Sequence, residues 1–525
     1  MRYIILLFFL SLIATSQAQP TFNKRYQVAC NESIWTGIEV TDSCYYVVGI
    51  AQDMVHCIPK GIFLKLDTFG NVLSYTMDTT LSQQYKFRRS QLVTDIDGTL
   101  LASGEVFDSN GYASILVRYN AQGTVLSTQT YKDQQAPQLY IQTEAMAIAK
   151  DSSYLLIGQT NNSYTNSYQI LQIERDGTIR WNKTFGYNGN FCLSHSIVPL
   201  SDGFVVGYAN TDLNQTPINY TVLCQIKKMD YNGSVLWEWQ NDSSIQINGA
   251  NDLIQTKDKG WVVATAIGKE ILRTGGTSSV FVHDSYVFKL DSARNWLWGT
   301  PLRSHSYTEE SKTIRVIELA DSSLVTFGMT VDTFIINGTI IGQYDALIAK
   351  LSPSGDSLWG RRYHYFEQQW SSHEIFDVEQ TPDGGFLACG EAKGTGQGVY
   401  KQGWLLKLDE HGCLVPGCHI DSSRIGILPI GAQPQAELKL YPNPATDYLN
   451  VLYRNQQIGE KLTFRILDEQ GRVLKFYNTS DVSDKTYVFP VWELLSGWYV
   501  LEVRQDSLSR GFGGKLIGSE VFIKQ

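Results

Sequence analysis

Charge is scarce in this sequence. Of its 525 residues only 18% are Asp, Glu, Lys or Arg, against roughly 25% in an ordinary soluble domain, and no block of like charge occurs anywhere. With 43 Lys plus Arg against 52 Asp plus Glu, the net charge of −9 offers no basic surface to nucleic acid or to an acidic membrane. Long hydrophobic runs are missing as well. The longest, Tyr3 to Ile13, has 11 residues where a spanning helix needs ~20, so no transmembrane segment is expected after signal cleavage. The sequence also lacks His-Glu-x-x-His, Gly-x-Ser-x-Gly and Cys-x-x-Cys spacings and an adjacent Cys-Cys pair, which leaves no metal, no cofactor and no catalytic motif to expect. What is present is 43% hydrophobic and 12% aromatic residues, a composition that excludes a disordered chain.

The N-terminus reads as a secretory signal peptide over residues 1–18: basic Met1-Arg2, the apolar run, then small and polar residues from Ala14 to Ala18. The mature chain is expected from Gln19, and no cysteine follows the cleavage site, unlike in a lipoprotein. The eight cysteines of an exported protein can form disulfides.

One unit recurs along the chain. Lys65-Leu66-Asp67-x-x-Gly70 returns as Arg118-Tyr119-Asn120-x-x-Gly123, Gln172-Ile173-Glu174-x-x-Gly177, Lys228-Met229-Asp230-x-x-Gly233, Lys289-Leu290-Asp291-x-x-Arg294, Lys350-Leu351-Ser352-x-x-Gly355 and Lys407-Leu408-Asp409-x-x-Gly412, at intervals of 53 to 61 residues. A second polar turn alternates with it, at Asp42, Asp97, Asp151, Asp202, Asp258, Asp321 and Asp383. Asp and Asn side chains accept a backbone N–H two residues on, and Gly takes positive φ freely, so both turns read as hairpins. Four strands per repeat follow: one before the Asp turn (Asp377 to Thr381), one after it (Phe386 to Cys389), a third (Trp404 to Leu408) and a fourth after the Lys-Leu-Asp turn (Leu236 to Trp239). Trp181, Trp237, Trp298 and Trp359 on fourth strands are expected to pack against the next repeat. The seventh repeat stops before its fourth strand, yet Phe22-Asn23-Lys24-Arg25-Tyr26 matches Trp181-Asn182-Lys183-Thr184-Phe185. The missing strand is therefore expected to come from the N-terminus and close a ring with no free edge.

These repeats resemble the seven-bladed β-propellers of secreted bacterial proteins, over residues 19–420. Residues 421–435, with Pro429, Gly431 and Pro434, read as a linker. From 436 to 525 a small β-sandwich is expected, carrying Tyr441-Pro442-Asn443-Pro444 before a strand, an Asp468-x-x-Gly471 hairpin and Gly497-Trp498-Tyr499. Together these resemble the type A sorting domain of the type IX secretion system of Gram-negative bacteria. That resemblance implies partnership with the type IX machinery, passage across the outer membrane, removal of the domain and often attachment to a surface glycolipid. The ending Glu520 to Gln525 is less basic than is usual for the family. The whole chain is thus expected to be all-β, a seven-bladed propeller whose N-terminal strand closes the last blade, followed by the sandwich.

Suggestions of chemistry are few. Asp95-Ile96-Asp97-Gly98-Thr99 resembles the first motif of haloacid-dehalogenase-like phosphatases, but Asp97-Gly98 falls on the repeated Asp turn and no α/β pattern surrounds it. The repeats also resemble those of quinoprotein dehydrogenases, whose adjacent-cysteine disulfide is missing here, and the Asp boxes of sialidases. His364 and His373 are expected at the surface, and Gly394 to Gly398 as a flexible connection. Cys413 and Cys418 are expected to pair; Cys30 with Cys57, and Cys192 with Cys224, are weaker pairings, while Cys44 and Cys389 read as buried thiols. On a rigid scaffold the variable loops carry function, and two are rich in aromatic and amide side chains: Tyr363 to Trp370, and Asn161 to Tyr168. Tyr363, Tyr365, Trp370, Tyr164 and Tyr168 are the candidate ligand-binding residues for a glycan or protein ligand. The reading is a non-enzymatic binding protein at the cell surface or outside it; the alternative is a hydrolase of polysaccharide or glycoconjugate with carboxylates converging in the propeller channel.

Overall fold

A computed structural model describes residues 20–418 and 436–524, apart from connecting segments at 29, 54, 56, 78–83, 87–91, 109–110, 133–139, 163–164, 186–192, 213–220, 243–246, 248, 273–278, 303–310, 337–338, 367–369, 396–399, 416–417, 443, 456–461, 469–472, 480–484 and 506–514. The expected signal and linker segments lie outside the described residues. Everything assigned regular structure among the described residues is β-strand, in mostly four-stranded antiparallel units that follow one another along the chain, the last two joined by a parallel pairing of Gln343 and Tyr344 with Ser371 and Ser372.

The first unit comprises Ser33–Val40, Tyr45–Gln52, Pro59–Leu66 and Val72–Met77; in the second the opening strand is split into Gln84–Lys86 and Leu92–Thr94, before Leu100–Asp108, Gly111–Tyr119 and Val125–Tyr131. Tyr140–Ile148, Tyr154–Asn162, Thr165–Ile173 and Ile179–Phe185 form the third unit, and Leu193–Leu200, Gly203–Asp212, Thr221–Met229 and Val235–Gln240 the fourth. The fifth holds Asp252–Gln255, Trp261–Leu272, Ser279–Leu290 and Trp296–Leu302; the sixth Lys312–Glu318, Leu324–Ile336, Thr339–Leu351 and Ser357–Tyr363. Last come Ser371–Gln380, Phe386–Lys393 and Gln402–Leu408, against which Phe22–Tyr26 pairs antiparallel with Phe22 opposite Lys407 and Tyr26 opposite Gly403. Second and third strands are buried on both faces, fourth strands are half exposed, and first strands line a central cavity.

Local chemistry explains the turns. The Asp of the Lys-Leu-Asp motif caps its own hairpin: Asp67 Oδ1 accepts the N–H groups of Phe69 (2.9 Å) and Asn71 (2.8 Å), and Asp409 Oδ1 those of His411 (2.9 Å) and Cys413 (2.7 Å). The glycine three residues on takes φ of +69° to +91° in six repeats, and Arg294, which replaces it in the fifth, holds +72°. Directly after each turn the fourth strand has a β-bulge, at Leu73, Leu126, Arg180, Leu236, Leu297 and Leu358. In the third to sixth units the residue after the bulge is a Trp, Trp181, Trp237, Trp298 or Trp359, which is turned toward the neighbouring unit.

In the fifth and sixth units that Trp meets the next unit's turn glycine. A Cβ at Gly412 would stand 2.5 Å from the Trp359 ring, and one at Gly355 2.5 Å from Trp298. Where Arg294 stands in for glycine, its guanidinium lies 4.9 Å over the Trp237 ring instead. The junction made by the N-terminal strand repeats the pattern, since a Cβ at Gly70 would meet Phe22 at 2.6 Å and the Tyr26 hydroxyl donates to the Gly70 carbonyl at 2.7 Å. First-unit residues Trp35, Tyr45 and Leu64 share one core with Phe22, Tyr26, Leu387 and Leu405.

Residues 436–524 form two facing sheets, Ala436–Tyr441, Tyr448–Asn455 and Lys485–Pro490 against Val473–Thr479, Leu462–Leu467, Gly497–Gln505 and Lys515–Lys524. Leu449, Val451, Phe464, Ile466, Leu501 and Phe522 fill the space between them. Two disulfides are present, Cys413–Cys418 (Cα atoms 5.6 Å apart) and Cys30–Cys57 (5.7 Å). The suggested Cys192–Cys224 pair is corrected: Cys224 is a free thiol sealed in the core with Val205, Trp261 and Phe288, while Cys192 lies outside the described residues. Cys44 is buried just before a second strand rather than on it, and Cys389 on one.

Candidate functional site

Three regions hold the charged and polar chemistry. On the turn face, the first residue of six of the seven Lys-Leu-Asp motifs reaches across to the Asp turn of the same unit, whereas Lys65 donates to the Ala121 carbonyl of the next unit (3.2 Å). Lys228 pairs with Asp202 (2.6 Å), Lys289 with Asp258 (2.6 Å), Lys350 with Asp321 (3.5 Å), Lys407 with Asp383 (3.0 Å) and Arg118 with Asp97 (3.3 Å), while Gln172 donates to Asp151 (3.3 Å). Burial works against ionisation at Asp258, but hydrogen bonds from Lys289, Thr256 and the Gly260 N–H hold its carboxyl down at about 2. The phosphatase-like motif belongs to this layer. Asp95, whose side chain has 0% exposure, takes hydrogen bonds from Arg118 (2.7 Å), Tyr154 (2.6 Å) and Arg175 (3.2 Å), so it is sealed into the junction of the second and third units and closed to a phosphate group.

The central cavity, about 480 Å³, is lined by first-strand residues including Asp252, Arg315, Asp377 and Glu379. Arg315 bridges Asp252 (3.5 Å) and Asp377 (3.0 Å), joining the fifth, sixth and seventh units. Each carboxylate also takes a backbone N–H from the neighbouring unit: Asp252 from Val316 (2.9 Å), Asp377 from Ile38 (3.1 Å), Glu379 from Val40 (2.8 Å) and Glu39 from Thr94 (3.1 Å). Burial raises Asp252, Asp377 and Glu39 above the usual carboxylate range, and burial beside Glu39 and Asp377 pushes Glu379 up to about 9. Glu379 is therefore an acid that keeps its proton at neutral pH.

Sequence reading missed this cluster although it left a mark. Asp252, Arg315 and Asp377 each stand six residues before the turn aspartate of their own repeat, Asp258, Asp321 and Asp383. A bulge directly precedes Arg315 and Asp377 in the strand pairing and aims both. Among the described residues no group of three or more His, Cys, Asp or Glu is arranged to hold a metal ion.

On the loop face, the five candidate ligand residues separate. Tyr168 is corrected: at 1% exposure it is core, its ring 5.2 Å from Phe185 and 4.6 Å from Tyr208. Tyr363 occupies the position of Tyr26 and Tyr131, and its hydroxyl donates to the Gly412 carbonyl across the unit junction, a structural part. Tyr164 lies outside the described residues. Tyr365 (42% exposed) and Trp370 (39%) do face solvent. The segment 364–366 is pinned from below: Asn23 donates to the His364 carbonyl (2.8 Å), the Phe366 N–H to His373 Nε2 (3.2 Å), and Gly394 leaves room for the Phe366 ring, 3.2 Å from where a Cβ would be, while 367–369 lie outside the described residues. His373, expected at the surface, is fully buried, and burial lowers it to about 4. Its Nε2 accepts from Phe366, so Nδ1 carries the proton and donates to the Tyr344 carbonyl (2.8 Å). Of the Gly394 to Gly398 connection, 396–398 lie outside the described residues.

In the C-terminal sandwich, Tyr441 (47% exposed), Pro442 and Pro444 form an exposed turn that leads into buried Ala445, whose N–H bonds the Ile523 carbonyl at 2.7 Å. Gly497 opens a central strand and Tyr499 is buried against Phe522, its hydroxyl on the Leu495 carbonyl (2.7 Å). Asn443 and Gly471 lie outside the described residues. Residues 439–511 match the family described as the secretion system C-terminal sorting domain. The chain accordingly carries the signal for type IX secretion to the cell surface or the extracellular space. No curated protein matches the sequence. Similar solved structures include the polysaccharide lyase Uly1 (7% identity, TM-score 0.45, 76% of this chain and 94% of that one). Others are the β-propeller domain of the Trilobed protease from Pyrococcus furiosus (8%, 0.39, 74% and 94%) and the GH93 α-L-arabinofuranosidase of Fusarium graminearum with arabinobiose (12%, 0.38, 62% and 98%). At those TM-scores none of the three bears on what this chain does. Among the described residues no helix is long and apolar enough to cross a membrane.

Proposed function

We propose that this chain, whose residues 439–511 match a secretion system C-terminal sorting domain, is an exported binding protein. Its body is a seven-bladed propeller closed by Phe22–Tyr26, and its ligand surface is the loop face around Tyr365 and Trp370. The observation that carries the reading is the pinned loop. His364 and Phe366 are held by Asn23, His373 and the space at Gly394, while the Tyr365 and Trp370 rings stay exposed, so Tyr365 is presented from a fixed backbone and loses little freedom on binding. Aromatic faces stack on sugar rings, and a glycan or glycoprotein is the ligand class that suits them. A glycan and protein array probed with the purified propeller tests this. Export has its own test: a chain ending at Pro434 accumulates in the periplasm, whereas equal surface display of both forms would remove the sorting role.

A second reading is favoured by the channel. Protonated Glu379 beside ionisable Glu39, Asp252 and Asp377 supplies an acid and bases, the pairing that glycoside hydrolysis uses. Against it, each carboxylate is already engaged with a neighbouring unit's N–H. Hydrolysis of an array ligand, lost in Glu379→Gln, would move the assignment to this reading.

A further inference from the structure

We infer that the ligand of the loop-face patch is an uncharged, hydroxyl-rich sugar chain lying across Tyr365, Tyr400 and Trp370, with Lys393 and Glu374 meeting its hydroxyls; this rests on the ligand-surface reading above. Tyr400, 42% exposed, belongs to the loop between Phe386–Lys393 and Gln402–Leu408 and was no part of the sequence-based set. Phe366 lies among the elements that carry these rings. Its ring lies 5.1 Å from that of Tyr365 and 5.2 Å from the Arg25 guanidinium, whose Nη2 donates to the Tyr400 carbonyl. Beneath it is Gly394, next in the chain to Lys393, whose Nζ sits 5.8 Å from the centre of the Trp370 ring.

Charge decides which kind of sugar fits. In the strand pairing Ser372 is opposite Lys393 and Glu374 opposite Glu391, so Trp370, Glu374, Glu391 and Lys393 fall on one side of the sheet. Lys401 joins them, 2.5 Å from Glu391. Three cations, Lys393, Lys401 and Arg25, thus face three acids, Glu374, Glu391 and Glu32, the last adding to the negative field at Glu391. Arg25 has already given its Nε to the Ala392 carbonyl as well. A polyanion meets no net positive potential here. Hydroxyl groups, which both donate and accept, can use Lys393 and Glu374 alike, while the C–H faces of the sugar rest on the three rings.

The full exported chain should be titrated calorimetrically with a neutral glucose oligomer, a neutral mannose oligomer and an oligogalacturonate of equal length. At least one neutral oligomer is expected to bind with an affinity independent of salt, and Trp370→Ala to weaken it about tenfold at unchanged melting temperature. Glu374→Gln, which keeps a hydroxyl partner, should leave most of that affinity. Binding of the galacturonate alone, weakening as salt is added, overturns the inference and leaves the ligand-surface reading standing. If none of the three binds and no array ligand responds to Tyr365→Ala with Trp370→Ala, both fall.

Discussion

The two ends of the propeller are built on different rules. At the turn face the units share one solution with few departures: a side-chain-capped turn, a left-handed residue that is glycine in six of seven, and in five of them a cation reaching from the third strand to the Asp turn. Among the described residues of the loop face, two elements stand out, the pinned segment 364–366 and the Cys30–Cys57 bridge, and each occurs once. Between the faces lies the inner ring, where Asp252, Arg315 and Asp377 sit at equivalent repeat positions yet form a contact only because they differ in charge. Repetition therefore marks what holds neighbouring units together, and departure from it marks the places where the proposed binding surface is sought.

Breaking the ring gives the largest effect. Deleting Phe22–Tyr26 strips Gln402–Leu408 of its partner and empties the space against Gly70, so the melting temperature should drop by about 10 °C or more, with aggregation through the exposed edge. A deletion variant that melts with the parent would mean the seventh sheet needs no fourth strand. Next is the inner ring: Arg315→Met leaves Asp252 and Asp377 buried without a cation and should cost about 3–5 kcal/mol in denaturant unfolding. Adding Asp252→Asn and Asp377→Asn to that variant should recover much of the loss.

A smaller effect concerns pH. Glu379 titrates near 9 in the folded chain and from an ordinary 4.5 when unfolded, so between those values the folded form keeps a proton that the unfolded form has released. Its contribution to stability is full below about 4.5 and is lost as pH rises toward 9. Unfolding curves across that range should fall less steeply with pH in Glu379→Gln than in the parent, and identical slopes would show that Glu379 is ionised in the native state.

Much of this architecture was legible because its causes are local. The turns are hydrogen bonds within five residues, and the N-terminal strand declared itself by matching an internal copy. What could not be read were the contacts between units beyond those of the fourth-strand Trp residues. Tyr168 and Tyr363 looked like binding residues because they stand in aromatic loops, whereas Tyr363 is a repeat position, four residues after Trp359 as Tyr26 is after Phe22. His373 looked polar and exposed, yet its ring closes the underside of the loop. The inner-ring carboxylates were invisible as a motif, since each belongs to a different repeat.

The division of the molecule into a structural face and a binding face is tested most directly by Tyr365→Ala combined with Trp370→Ala, measuring melting temperature and affinity for an array ligand on the same preparation. Both rings are exposed and neither is part of the Asn23, His373 and Gly394 anchors, so the melting temperature should stay within about 2 °C of the parent while affinity falls at least about tenfold. A marked fall in melting temperature with affinity intact would make the loop another structural strap and contradict the account.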